Sequence, residues 1–319
     1  MAGNRAQDST SSAAPRRIIP FMRWRFIASA LSLTLVLASL GALAFKGLAF
    51  GLDFTGGTQI EVIYDQPEPL DGIRQTLQQA GYGSAVVVYF GSERDVLVRL
   101  PEGFSDAAGA ELVGVLQEAS GHPVSLRRME FVGPQVGEEL REDGGLAMLL
   151  ALGVVMLYVA FRFQYKFSVG AVVALIHDVI ITLGVFAWFQ LDFDLTVMAA
   201  LLAVIGYSLN DTIVVFDRIR ENFRKLRKPS PAEVIDISLS ETLARTLATS
   251  FTTLLVLFAL FLLGGEMIHN FATALLIGIF VGTYSSIYIA ANILLEMNIT
   301  REDLVLPPKE SAALVDPLP

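Results

Sequence analysis

The chain has 319 residues, a formal net charge of −9 and 53% hydrophobic residues, with a mean hydropathy of +0.56. That balance excludes an ordinary soluble domain and points to a polytopic membrane protein. The absence of cysteine excludes disulfides, thiolate metal sites and cysteine nucleophiles, and the absence of a G-x-x-x-x-G-K-[ST] run excludes a phosphate-binding loop of that kind.

Met1 to Ala14 are small and polar and read as a disordered tail, so 1–25 is taken as an N-terminal cytoplasmic segment. Arg16, Arg17, Arg23 and Arg25 then precede an apolar run without a convincing small-residue cleavage site. A retained first helix is expected, not a removed signal peptide. Six runs are long enough to cross about 30 Å of hydrocarbon: about 26–45, 146–161, 167–189, 195–216, 243–263 and 271–295. The first stands alone, and the other five form one bundle over 144–296.

Basic residues set the expected orientation. Arg162, Lys166, Arg218, Arg220, Arg224, Lys225, Arg227, Lys228, Arg301 and Lys309 fall on the same side as the N-terminal arginines. The short loops Gln190 to Asp194 and Gly264 to Asn270 hold no Lys or Arg. Both termini, including the tail 297–319, are therefore placed in the cytoplasm.

The segment 46–143 then lies outside. Its pattern gives a strand at Thr58 to Tyr64, a helix at Leu70 to Ala80, strands at Ala85 to Phe90 and Asp95 to Leu100, a helix at Ser105 to Ser120 with Ser105 as N-cap, and a strand at Pro123 to Val132. The order β-α-β-β-α-β predicts a small α+β ferredoxin-like domain. It shows no clustered His, Ser and Asp set of the kind a hydrolase needs, so it reads as a binding or docking module.

Polar residues inside the apolar runs are the candidates for function. An acid such as Asp211 costs about 2.5–3.5 kcal/mol on insertion scales, so it needs a partner or a task. It is either buried among the helices or wetted at the end of the fourth span. Arg245 is the expected partner. A hairpin turning at Lys228-Pro229-Ser230-Pro231 puts 211 and 245 at similar depth, although Arg245 alone can also snorkel to the interface. His177 and Asp178 fall at the middle of the third span. They serve either as a buried packing cluster or as a proton relay. Tyr207, Ser208 and Asn210 sit near Asp211, and Thr246, Thr249, Ser250, Thr252 and Thr253 follow Arg245. Gly278 and Gly282 form a small-xxx-small pattern suited to close helix contact. After the first span, Gly51, Asp53, Phe54, Thr55, Gly56 and Gly57 indicate a constrained turn at the membrane surface.

GLDFTGGTQIEV after the first span, the His177-Asp178 pair, IGYSLNDTIVVFDRIREN and SETLARTLATS together resemble the SecF family, the smaller membrane subunit of the SecDF protein-export accessory complex. The resemblance implies six transmembrane helices with a periplasmic domain after the first and a bundle similar to half of an RND transporter. It implies residence in the cell inner membrane, a SecD-like partner, work beside the SecYEG channel with YajC as a further partner, and an unfolded preprotein as substrate. It also implies use of the proton-motive force, with the family's membrane acid and arginine matching Asp211 and Arg245. It gives His177 and Asp178 no equally firm role. No enzymatic activity, cofactor, metal or nucleic-acid partner is expected. The competing readings are an RND-like exporter of lipids or hydrophobic small molecules, and a passive scaffold in which Asp211 and Arg245 form a structural ion pair.

Overall fold

A computed structural model of the chain describes residues 18–101, 107–300 and 302–304. The expected tail 1–14, the Ser105 cap, Arg301 and most of the C-terminal tail lie outside the described residues. A short 3-10 turn, Phe21–Trp24, leads into α1 (Arg25–Phe45). Then come β1 (Ala49–Phe50), the single turn α2 (Leu52–Thr55), β2 (Gly57–Tyr64), α3 (Leu70–Gln79), β3 (Val86–Phe90), β4 (Ser92–Leu100), α4 (Ala107–Ser120) and β5 (Val124–Val132). The rest is α5 (Pro134–Arg162), α6 (Tyr165–Phe189), β6 (Asp192–Phe193), α7 (Leu195–Lys225), α8 (Pro231–Leu263), α9 (Glu266–Glu296) and a closing 3-10 turn, Glu302–Leu304.

The inserted domain has the ferredoxin-like arrangement. Its sheet runs β3-β4-β2-β5 with every neighbouring pair antiparallel, so each of the two helices crosses over the strand between its flanking strands. Ile60, Val62, Val96, Val98 and Leu100 on the sheet bury against Ile73, Leu77, Leu112 and Leu116 on α3 and α4. Each fully buried aliphatic side chain contributes about 1.5–3 kcal/mol, which suits a core this small.

Six helices are long and apolar enough to cross a membrane. In α6, α7 and α9, 56% of the most apolar window is buried, against 11–22% in α1, α5 and α8. The first three therefore form the inside of the bundle and the others its exposed rim. Glycine permits a close helix approach at Gly184, where an added Cβ would strike Ser39 of α1.

Several helices run past the apolar spans that mark them in the sequence. The second span is expected at about 146, but α5 starts at Pro134; the fourth ends near 216, but α7 continues to Lys225; the fifth begins near 243, but α8 starts at Pro231. Apolarity marks depth in lipid, whereas helix continues wherever its ends are satisfied. Arg218 and Lys225 each pair with Glu221 along α7, and Ser230 with Glu233 forms a capping box on α8.

Candidate functional site

Two acids lie inside the bundle, and they are held in opposite ways. Asp178 on α6 is 1% exposed. Its Oδ2 accepts from Ser208 Oγ of α7 at 2.6 Å and from Ser285 Oγ of α9 at 2.9 Å, and its Oδ1 lies 2.9 Å from His177 Nδ1. Three inner helices thus converge on one carboxylate. Gly282 makes room for them, because a Cβ there would lie 3.0 Å from Ser208 Cβ and 3.4 Å from Asp178 Oδ2. Among the described residues His177 Nε2 is buried without a partner, while its ring stacks on Tyr284 of α9. Side chains from three helices thus meet on one buried acid.

Asp211 on α7 is 3% exposed, which answers the question of depth in favour of burial. Among the described residues, Ser250 Oγ at 3.3 Å is the side chain that hydrogen-bonds its carboxylate, at the long limit for such a bond. The expected ion pair with Arg245 does not form: no contact within ion-pair distance joins them, and Arg245 lies exposed on α8. The reason is helix register. Arg218 bonds Glu241, Asn222 bonds Ser238, and Asp211 bonds Ser250. These pairs centre the hairpin near Ser230, not Lys228, so Ser250 occupies the level at which Arg245 is expected.

The hydroxyls beyond Ser250 make its proton count informative. Ser250 Oγ lies 2.8 Å from Thr283 Oγ1 of α9, and Thr283 Oγ1 lies 2.8 Å from the Ile279 carbonyl. Two hydroxyl protons serve three contacts. With Asp211 ionised, Thr283 donates to Ser250 and Ser250 to Asp211, leaving the Ile279 carbonyl without the hydroxyl. With Asp211 protonated, its own proton goes to Ser250, Ser250 donates to Thr283, and Thr283 donates to Ile279, so all three contacts hold.

The other sequence candidates divide between inside and outside. Ser208 bonds Asp178, and among the described residues Tyr207 has a buried hydroxyl without a partner. Asn210 faces outward, on a stripe with Ala199, Ala203 and Gly206. Thr283, Ser285 and Ser286 were not singled out in the sequence, although three hydroxyls clustered within four residues of an apolar helix are a readable sign of an interior face. Ser286 bonds Thr212 at 2.9 Å.

The turn after α1 is a three-way junction. Asp53 Oδ2 accepts from the backbone N–H of Leu195 at 3.0 Å, and Asp194 accepts from Val197 N at 2.9 Å, so two carboxylates cap the start of the helix that carries Asp211. Phe54 is buried against Phe193 and Val197. Gly51 N–H donates to the Phe193 carbonyl at 2.8 Å. Gly57 has φ +116°, and a Cβ there would run into the Leu100 carbonyl; Gly56 has φ +66° and closes on Pro134 at the start of α5. Arg99 of β4 grips Asp192 with two bonds of 2.9 and 3.3 Å, and the Asp192 carbonyl accepts from Asn270 of α9. The inserted domain is thereby tied to the N-terminal ends of α5, α7 and α9. Gly57→Ala is expected to lower the unfolding temperature of the detergent-solubilised chain, costing more than about 1 kcal/mol.

Comparison with known proteins adds the lineage. Residues 113–300 match the family described as protein export membrane protein SecD/SecF, C-terminal, and residues 41–68, which include the Gly51–Gly57 side of the junction, match the SecD/SecF GG motif. Protein translocase subunit SecF of Vibrio alginolyticus is 53% identical over 297 residues, covering 92% of this chain and 94% of the relative. The subunit of the same name from Pseudomonas aeruginosa is 55% identical over 290 residues, covering 91% and 94%. Among solved structures, SecDF of Thermus thermophilus, described as a translocon-associated membrane protein, superposes with a TM-score of 0.82 at 39% identity, covering 88% of this chain and 39% of that longer one. SecDF in a super-membrane-facing form gives 0.67, covering 90% and 39%.

Proposed function

This chain belongs to the SecF family of protein translocase subunits, and from that premise we propose that it couples proton movement through Asp211 to the export of preproteins beside a SecYEG channel. The observation that carries the reading is the contrast between the two buried acids. Among the described residues Asp178 is held by three short side-chain bonds, whereas Asp211 has one long bond and a hydroxyl chain whose direction depends on its proton.

The route from that proton to the substrate runs along α7. Gain or loss of the proton reverses the Ser250–Thr283 chain and changes how α7, α8 and α9 hold one another. The outer end of α7 is capped by Asp53, and Arg99 ties the same corner to the sheet. A shift of α7 therefore reaches the inserted domain, which lies on the periplasmic side and grips or releases the emerging chain. The lower likeness to the super-membrane-facing form supports a fold with more than one arrangement. Placement is in the inner membrane with both termini cytoplasmic, following the basic residues at the Arg162 and Lys225 ends.

A SecD-like partner completes the bundle. Asn210, Arg245, Thr249 and Thr252 are exposed on α7 and α8, and polar side chains at such positions belong against protein or water, not lipid. The small residues Ala199, Ala203 and Gly206 on the same face of α7 allow a helix to approach closely. YajC is a further partner at positions this chain does not define.

The test is preprotein movement into vesicles carrying the whole complex, with a proton gradient imposed or collapsed. A contribution from this chain that is equal in both conditions overturns the proton-coupled reading. Arg99→Ala is expected to reduce the gradient-dependent part severalfold and leave partner binding intact, as measured by co-purification. An unchanged gradient response would remove Arg99 from the coupling route.

A further inference from the structure

We propose that the buried hydroxyls of α8 carry the proton between Asp211 and the cytoplasm, with Thr246 as the relay at the break in their bonding. The path rests on Asp211 being the proton carrier, and it supplies that acid with an inner route. From residue 238 to residue 250, five residues of α8 are buried: Ser238, Leu239, Thr242, Thr246 and Ser250. Four of the five carry a hydroxyl, each four residues from the next, so they form one line on one face of the helix. Beyond Ser250 the line ends, and Leu257 is the one further residue of α8 that is buried. The hydroxyls therefore run from Ser238 to the level of Asp211, which bonds Ser250, and no farther.

Packing accounts for part of the line. Ser238 donates to the Val234 carbonyl at 2.7 Å and Thr242 to the Ser238 carbonyl at 3.0 Å, which is how a helix absorbs a buried hydroxyl. Thr246 departs from that pattern. It is 2% exposed, and among the described residues its Oγ1 has no partner, the carbonyls of its own helix included. A buried hydroxyl left unbonded costs stability, and an unbonded donor and acceptor at that level are what a relay requires. On α7 the same stretch buries Val215, Phe216 and Ile219, and its Thr212 bonds Ser286 of α9. The polar lining between Asp211 and Asn222 is thus left to α8.

Four residues of helix rise about 6 Å, roughly twice the length of an O–H···O bond of about 2.8 Å. One water between successive hydroxyls would close each step, bonded on both sides. Each hydroxyl takes a proton on its oxygen and gives up the one it held, so the proton advances and no residue is changed. At the cytoplasmic end Asn222 Nδ2 donates to Ser238 Oγ at 3.0 Å and to Glu241 Oε2 at 2.8 Å. Glu241 is 24% exposed and pairs with Arg218 at 2.6 Å, so a carboxylate stands where the line meets water.

The experiment uses the complex with its SecD-like partner in vesicles holding a trapped pH-sensitive dye. It reads proton movement and preprotein movement under an imposed gradient. Thr246→Val keeps the shape of the side chain and removes the hydroxyl. It is expected to slow both movements by about tenfold, while the unfolding temperature stays level or rises, because no bond is lost. Thr246→Ser is expected to restore most of both. If Thr246→Val does not fold, Thr246→Ala carries the same test. Undiminished proton movement without the hydroxyl, beside a loss in Asp211→Asn, overturns the path and leaves Asp211 as the carrier. Undiminished movement in both variants overturns the carrier reading, and the path with it. A loss that Thr246→Ser does not restore marks a packing role for Thr246 and also overturns the proposal.

Discussion

Asp211→Asn is expected to reduce gradient-driven translocation by about tenfold or more, equivalent to at least about 1.4 kcal/mol on the coupled step, while the chain stays folded and paired. Asn has the shape of the acid and can still accept from Ser250 or donate to it, so the packing around a residue 3% exposed is kept. What it cannot do is take up and release a proton. The direction of the Ser250–Thr283 chain is then no longer set by a proton. Translocation into vesicles with an imposed gradient reads the effect, and co-purification with the SecD-like partner checks assembly. Undiminished activity would sink the proton-carrier role. Ser250→Ala is expected to give a smaller loss, because it breaks the reporting chain and leaves the acid in place. Since no ion pair joins Asp211 and Arg245, exchanging the two residues is not expected to restore function, as it would in a passive scaffold held by that pair.

Much of this arrangement is legible in the sequence because lipid imposes strong constraints. Six apolar runs and a long gap after the first give the bundle and its inserted domain, and the alternation in TQIEVIY and DVLVRL gives the β-α-β-β-α-β order. The polar interruptions at His177, Asp178 and Asp211 stand out for the same reason: few residues of that kind are tolerated at depth. The register between helices is less legible. A turn at Lys228-Pro229-Ser230-Pro231 locates the hairpin to within a few residues, yet an error of about one helical turn is enough to put Arg245 where Ser250 belongs. Tertiary pairs across the junction were harder still. Asp53 meets Leu195, and Arg99 meets Asp192, over separations that no local pattern records. The glycines announce a constrained path, but which backbones approach them, Leu100 and Pro134, follows only from the folded chain.

Asp178→Ala is expected to cost about 3–5 kcal/mol of stability, the largest loss of any single change considered. The mutation removes the acceptor shared by Ser208, Ser285 and His177 and leaves three polar groups buried in the bundle core without it. Asp178→Asn should cost less, because its amide oxygen still accepts from the two serines and its NH₂ can donate to His177 Nδ1 in the other tautomer. Gly282→Ala presses on the same point from the opposite side and should cost about 1–3 kcal/mol by overpacking. Thermal unfolding in detergent measures all three changes. Their order separates the two acids. If Asp178→Ala left the unfolding temperature unchanged and Asp178→Asn abolished the gradient response, Asp178 would be the proton site and Asp211 the packing residue. The opposite result is expected, because a carboxylate gripped by three helices resists the change of state that proton coupling requires, and one held by a single long bond does not.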